Sequence, residues 1–271
     1  MRPGELFLNV PMRRLFSVFW PFGMRANSMC ANAAGYLIRP RDLWLFIRGA
    51  QIDAWIARLR ADAGDETPFE TIYRQTSDPW LSVSPRYRYQ SRKYDTLMSF
   101  LPTHRRYGHA LDLGCGLGSL TRRLSGRAEA SLGIDIAQAA VDRARDNNAR
   151  IPNLHFEQGD ILHLPRELNG RFEIVTIVDT IYYISPLSDD LVQSLAHRIA
   201  DLLAPGGICM LTNHFFFPWD KETRLSQRIH DVFSSSPRFQ LVSEHWRPFY
   251  LTTLLSLAPS RIGPPTSKVC A

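Results

Sequence analysis

The sequence predicts an α/β fold: a mostly parallel, seven-stranded sheet flanked by helices, ending in a C-terminal antiparallel hairpin and preceded by an N-terminal helical extension. Three observations carry this reading. Apolar runs at 109–113, 130–134, 154–157, 172–178 and 208–213 alternate with helical apolar spacing at 120–124, 137–148 and 189–203. Such alternation builds a parallel sheet with right-handed crossovers and helices on both faces. At the first of these strands the chain runs Ala110-Leu111-Asp112-Leu113-Gly114-Cys115-Gly116-Leu117-Gly118-Ser119-Leu120, the pattern of a strand, a tight turn and a helix that Ser119 is placed to cap. Finally, the apolar runs 239–243 and 249–257 are joined by a few residues around Trp246-Arg247-Pro248, a link that requires an antiparallel pair.

A chain of 271 residues with 45% hydrophobic content can fill one sizeable core. We divide it into an extension at 1–70, a main domain at 71–258 and a loose tail at 259–271. The net charge of +6 is spread over scattered arginines, so attraction to anionic surfaces is permitted and no nucleic-acid partner is expected. Cys30, Cys115, Cys209 and Cys270 lie far apart without a Cys-x-x-Cys pair. Neither a metal site nor a disulfide framework follows, and a reducing, cytoplasmic setting is expected.

The extension opens with several arginines, one acid (Glu5) and an apolar patch at 15–20 that Pro21 cuts short. That patch is too short to span a bilayer. It reads as a disordered leader, or as a start upstream of Met12, Met24 or Met29; a targeting segment is the alternative. Phe16, Phe19, Trp20 and Phe22 offer a weak membrane-surface contact. From 40 to 60, Leu43, Phe46, Ile47, Trp55, Ile56 and Leu59 have helical spacing, broken at 63–68. Asp78-Pro79-Trp80 and Ser84-Pro85-Arg86 then start turns, and Tyr89, Tyr94, Leu97 and Phe100 predict a helix over 86–100. Pro165 breaks up 162–169, and 221–233 reads as a last helix.

Chemistry concentrates at the glycine turn. A chain leaving a buried strand must bend sharply, and residues without Cβ adopt positive φ and let a ligand approach the backbone. A dinucleotide fingerprint needs Gly-x-Gly-x-x-Gly, whereas this turn runs Gly114-x-Gly116-x-Gly118 with Asp112 two residues ahead. The run from Asp112 to Gly118 resembles the first motif of class I S-adenosylmethionine-dependent methyltransferases. By that resemblance Asp112, Gly114, Cys115, Gly116 and Gly118 hold the amino-acid part of the cofactor. Asp135, with Ile136 after it, ends the second strand about twenty residues on, where an acid accepts from both ribose hydroxyls; capping the next helix is a compatible role. The resemblance further gives Asp160 to the adenine amino group and Ile161 to the ring's border.

The fourth strand ends Asp179-Thr180-Ile181-Tyr182-Tyr183-Ile184, the edge that faces the methyl group in this family. Base-modifying enzymes usually carry two prolines here, and their lack argues against a nucleic-acid substrate. Asp78-Pro79-Trp80, Ser84 and Tyr89-Gln90-Ser91-Arg92-Lys93-Tyr94-Asp95-Thr96-Leu97, together with this edge, are similar to the NodS family, N-methyltransferases of a chitooligosaccharide amine. The similarity covers about 73–257, with Gln90 and Asp112 in place of the usual Glu. It implies that the helix through Lys93 closes over the cofactor, that Arg92 or Lys93 meets the cofactor's carboxylate, and that the acceptor is an amino sugar or oligosaccharide. Asp179 and Tyr182 are the residues expected to orient it, Asp179 also bordering the cofactor, and His214 is a further candidate. An O- or N-methyltransferase of another small molecule stays open as an alternative, as do a nucleic-acid methyltransferase, which the basic balance favours and the missing prolines disfavour, and a protein that binds the cofactor without catalysis.

Overall fold

The computed structural model describes residues 43–62, 67–215, 221–247 and 249–258. The expectations for the leader, for most of the break at 63–68 and for the tail lie outside these residues. The described chain runs through helices α1 (Leu43–Asp62), α2 (Thr67–Gln75) and α3 (Tyr89–Phe100) before the sheet begins. It continues as β1 (Tyr107–Leu113), α4 (Ser119–Ser125), β2 (Ala128–Asp135), α5 (Gln138–Asn148), β3 (Leu154–Gln158) and β4 (Phe172–Val178). The last part comprises α6 (Asp189–Leu202), β5 (Leu203–Phe215), α7 (Lys221–Ser235), β6 (Phe239–Arg247) and β7 (Phe249–Leu257). All strands join one seven-stranded sheet in the order β3-β2-β1-β4-β5-β7-β6. β1 to β5 pair in parallel, and β7 runs antiparallel to both β5 and β6, as the sequence predicts.

The central strands are apolar because both their faces are covered. On β4, Val175 and Ile177 join Leu195 and Ile199 of α6 and Ile229 and Phe233 of α7 in one core. Ile174 points the other way, into a second core with Leu97, Leu120, Leu124, Met210 and Tyr250. Alternation along the strand thus fills two layers at once. Ser188 caps α6 by accepting from the Leu191 amide at 3.2 Å. Among the described residues no helix is long and apolar enough to cross a membrane.

Three local readings are corrected. Ser119 does not cap α4; Gly118, at φ 77°, is the cap, and the Ser119 hydroxyl instead donates to the Ser82 carbonyl. α3 begins at Tyr89, three residues after the expected start, because the Asp78 carboxylate accepts from the Ser82 and Val83 amides and holds the approach in a turn. α2 begins at Thr67, inside the stretch at 63–68 that the sequence reads as a break. Its Glu70 accepts from the Ala139 amide at 3.0 Å, serving the open N-terminus of α5. Ile72 of α2 closes over Ile52 and Ile56 of α1, with Trp80 and Tyr183 packed against them.

Asp112 lies inside this frame. It is 2% exposed and accepts from the Thr121 hydroxyl of α4 and the Thr176 hydroxyl of β4, both at 2.7 Å. Burial nevertheless pushes its pKa up to about 6, against the lowering effect of those two bonds. The unfolded carboxyl titrates near about 4. Stability tied to the protonated form is therefore full below about pH 4 and is lost as pH rises through about 6. Asp112→Asn removes the charge while its oxygen accepts from one threonine hydroxyl and its NH2 donates to the other. We expect its unfolding free energy to draw level with the wild type near pH 4 and to exceed it by about 2–3 kcal/mol at pH 7, read by urea unfolding; no change in the difference across that range would contradict the raised pKa.

Candidate active site

The turn after β1 is built as its glycines demand. Gly114, Gly116 and Gly118 take φ of 73°, 53° and 77°, a region that side chains with Cβ rarely enter. Space is as restrictive as torsion. A Cβ on Gly114 would come within 2.3 Å of Thr180 Oγ1, and one on Gly118 within 2.5 Å of Phe156 Cζ. The amides of Gly114 and Cys115 donate to the Ile134 carbonyl, stitching the turn to β2. Cys115 itself packs with Val141, Ala144, Leu154 and Phe156, and burial raises its thiol pKa, so it is a packing residue and not a nucleophile.

Asp135 sits opposite. One carboxylate oxygen accepts from the Gly116 amide at 2.8 Å and the other from the Ala137 amide at 3.0 Å. It thus ties the turn to the start of α5, which is the capping role, while burial raises its pKa. Ile136 follows, half-buried, its carbonyl accepting from Gln158 Nε2. After β3, Asp160 accepts from the Leu162 amide at 2.9 Å and lies 2.6 Å from His163 Nδ1; Ile161 packs on the main core. Nothing in the sequence singled out His163.

At the end of β4 stands Asp179, a non-glycine residue at φ 52°. Strain of this kind persists where surrounding contacts over-determine it. Its Oδ2 is paired with Lys93 Nζ of α3, whose side chain is 3% exposed and lies over the Tyr250 ring at 5.1 Å. Asp179 Oδ1 is buried without a hydrogen-bond partner. Lys93 thus pairs with Asp179 across α3 and the end of β4. Arg92, the other residue named for the cofactor's carboxylate, is half-buried beside it, and its carbonyl accepts from Thr96.

A wall of aromatic rings adjoins Asp179. Tyr182 lies edge-on to His214 at 4.3 Å and against Tyr183 at 4.5 Å. His214 Nε2 is 3.4 Å from Glu222 Oε2 of α7, and the bond to His214 is the chief cause of a lowered Glu222 pKa. Burial raises the phenol pKa of Tyr182 and of Tyr183, so both stay neutral. The Tyr183 hydroxyl donates to Asp53 at 2.9 Å and accepts from Trp80 Nε1 at 3.2 Å. Sequence reasoning missed Asp53, Tyr183 and Glu222. Asp53 lies in an apolar helical stretch with no motif around it, and Glu222 is one of several charges on α7. Among the described residues no group of His, Cys, Asp or Glu is arranged to hold a metal ion.

Comparison with known proteins agrees with this geometry. Residues 110–207 match the model of a methyltransferase domain. Among curated proteins, the chain is 31% identical over 137 residues to a carboxy-S-adenosyl-L-methionine synthase of Chromohalobacter salexigens, covering 47% of this chain and 48% of that one. It is 21% identical over 131 residues to nodulation protein S of Rhizobium tropici, covering 48% and 52%. The chain spans about half the length of the curated relatives it matches. Among solved structures, the N-methyltransferase NodS of Bradyrhizobium japonicum, crystallised with S-adenosyl-L-homocysteine, superposes with a TM-score of 0.59 at 16% identity, covering 70% of this chain and 98% of that one. Residues 110–207 are therefore a methyltransferase domain, set within a chain that has the class I S-adenosylmethionine-dependent methyltransferase fold.

Proposed function

We propose that the chain is an S-adenosylmethionine-dependent N-methyltransferase whose acceptor is the free amine of an amino sugar or oligosaccharide. The single observation that carries the acceptor chemistry is Asp179: one oxygen anchored by Lys93, the other buried and unpartnered, on a strained backbone at the strand end. A buried acceptor without a donor costs about 1–3 kcal/mol and invites an N–H group from outside the chain. The buried free thiols Cys115 and Cys209 support a reducing, cytoplasmic setting.

The residues present fit the cofactor. The turn at Gly114, Gly116 and Gly118 takes a left-handed backbone bare of side chains, which lets a ligand approach its amides, Asp135 retains carboxylate lone pairs for ribose hydroxyls, and Asp160 and Ile161 lie beyond β3 for the base. S-adenosylmethionine bound there would supply an electrophilic methyl carbon and leave as S-adenosylhomocysteine, its C–S bond giving way to a C–N bond; the positive charge passes to the amine nitrogen, which afterwards releases a proton to water. Asp179 Oδ1 accepts an amine N–H and so aims the nitrogen lone pair; orientation of this kind contributes much of the acceleration. An amine with a pKa of about 8 is partly neutral at physiological pH, so little base strength is needed. Tyr182 and Tyr183 offer ring faces to the cation that develops and exclude water from it. His214, held by Glu222, fixes the Tyr182 ring.

Titration of the protein with S-adenosylhomocysteine, with and without a partly deacetylated chitooligosaccharide, tests the reading. Product affinity should tighten when the amino sugar is present; binding indifferent to the sugar discards that acceptor, and no binding at all discards the activity. Asp179→Asn should lower kcat by about 100-fold with S-adenosylhomocysteine affinity within about threefold. Loss of cofactor affinity alone would move the acceptor site elsewhere. Asp135→Ala removes two charge-assisted bonds from the turn, and S-adenosylhomocysteine Kd should rise at least about tenfold by the same titration.

A further inference from the structure

We infer that Asp53, on helix α1 and well outside the matched domain, is a positioning residue for the methyl acceptor: it fixes Tyr183 and through it the aromatic wall beside Asp179. The inference rests on the proposed amine acceptor and extends it to a residue that no motif marks. Ile52 and Ile56 anchor one face of α1 against Ile72, which leaves Asp53 beside Tyr183. The same helix grips Tyr183 twice, because the Arg60 guanidinium donates to the Tyr183 carbonyl while Asp53 Oδ1 accepts from its hydroxyl. With Trp80 donating from the other side and Phe69 packed edge-on at 5.5 Å, the ring has no freedom left. Tyr182, the next residue back, inherits its position through a 4.5 Å ring contact.

The choice of a carboxylate here is costly in a purely structural account. Burial raises the Asp53 pKa, and the charges of Glu222 and Asp179 raise it further, with His214 opposing them. An amide oxygen would accept the same phenol hydrogen without that penalty. Asp53 holds Tyr183, Glu222 lies by the His214 that meets Tyr182, and Asp179 precedes both rings in the chain, so three carboxylates back the wall at which the proposed amine takes on positive charge. Preorganised negative groups lower the energy of such a charge as it forms. Helix α1 therefore favours an acceptor whose atom carries positive charge at the moment of transfer, as a neutral amine does, over a hydroxyl that gives up its proton as it reacts.

The test uses the full chain, radiolabelled S-adenosylmethionine, and a panel of glucosamine, deacetylated chitobiose and an aliphatic primary amine. Asp53→Ala and Tyr183→Phe should each raise the acceptor KM by about tenfold, with S-adenosylhomocysteine Kd within about twofold. The double variant should be no worse than Asp53→Ala by more than about twofold, since the two act through one hydrogen bond. Asp53→Asn keeps an oxygen for the phenol and should recover the KM in part; if Asp53→Ala does not fold, this variant and Tyr183→Phe decide the matter. Unchanged KM, effects of the two substitutions that multiply, or cofactor affinity falling in step with turnover would each overturn the inference while leaving the N-methyltransferase standing. A wild-type chain that methylates no amine of the panel overturns both.

Discussion

The structure depends on the divergence of two neighbouring parallel strands, β1 and β4. In the order β3-β2-β1-β4-β5 the chain leaves β1 toward one edge of the sheet and leaves β4 toward the other, so a crevice opens between their carboxyl ends. The two exits are almost in contact. Thr180, just past β4, donates its hydroxyl to the Leu113 carbonyl at 3.2 Å and occupies the space that a Cβ on Gly114 would need. Both exits take left-handed backbone, glycine at 114 and aspartate at 179. The crevice is narrow at its floor because of this packing, and the groups that face it are those that the two turns carry.

Charge is buried around the crevice at a cost to stability. Asp112 and Asp135 each have burial as the largest influence on a raised pKa, and Asp135 adds to the raise at Asp112. Each offsets this with two hydrogen bonds: Asp112 from Thr121 and Thr176, Asp135 from Gly116 and Ala137. The result is mechanical. Asp112 fixes β1 to β4 and α4 beneath the turn, and Asp135 fixes the turn itself to α5. A shape that glycine leaves floppy in the unfolded chain is thereby held in one form, at the expense that functional sites commonly carry.

What the sequence made legible follows from how local the causes are. β4 and β7 were placed at their observed bounds, 172–178 and 249–257, since an uninterrupted apolar run reports burial on both faces. The glycine turn was legible because positive φ is written in residue type. α2 was not: Pro68 was read as a breaker, yet proline in the first helical turn lacks only an amide that would be unpaired there anyway. Ser119 was given a cap because of its hydroxyl, while the left-handed Gly118 had already taken that place. The pairing of Lys93 with Asp179 is not legible, because the two lie 86 residues apart and no spacing rule reaches that far.

The same distance separates what is common in this chain from what is its own. Residues 110–207 contain the turn, Asp135, Asp160 and Asp179, to which we propose the cofactor and one acceptor contact belong. The groups that hold Asp179, Tyr182 and Tyr183 in place come from outside that segment: Asp53, Trp80 and Lys93 before it, His214 and Glu222 after it. A sheet can bind one cofactor with its middle strands and receive any acceptor through elements added at either end. That arrangement explains why the chain matches a carboxy-S-adenosyl-L-methionine synthase and a nodulation protein over about half of each. Under the proposed activity, the elements on either side of the shared segment fix the surroundings of Asp179 and so are where the choice of acceptor is expected to lie.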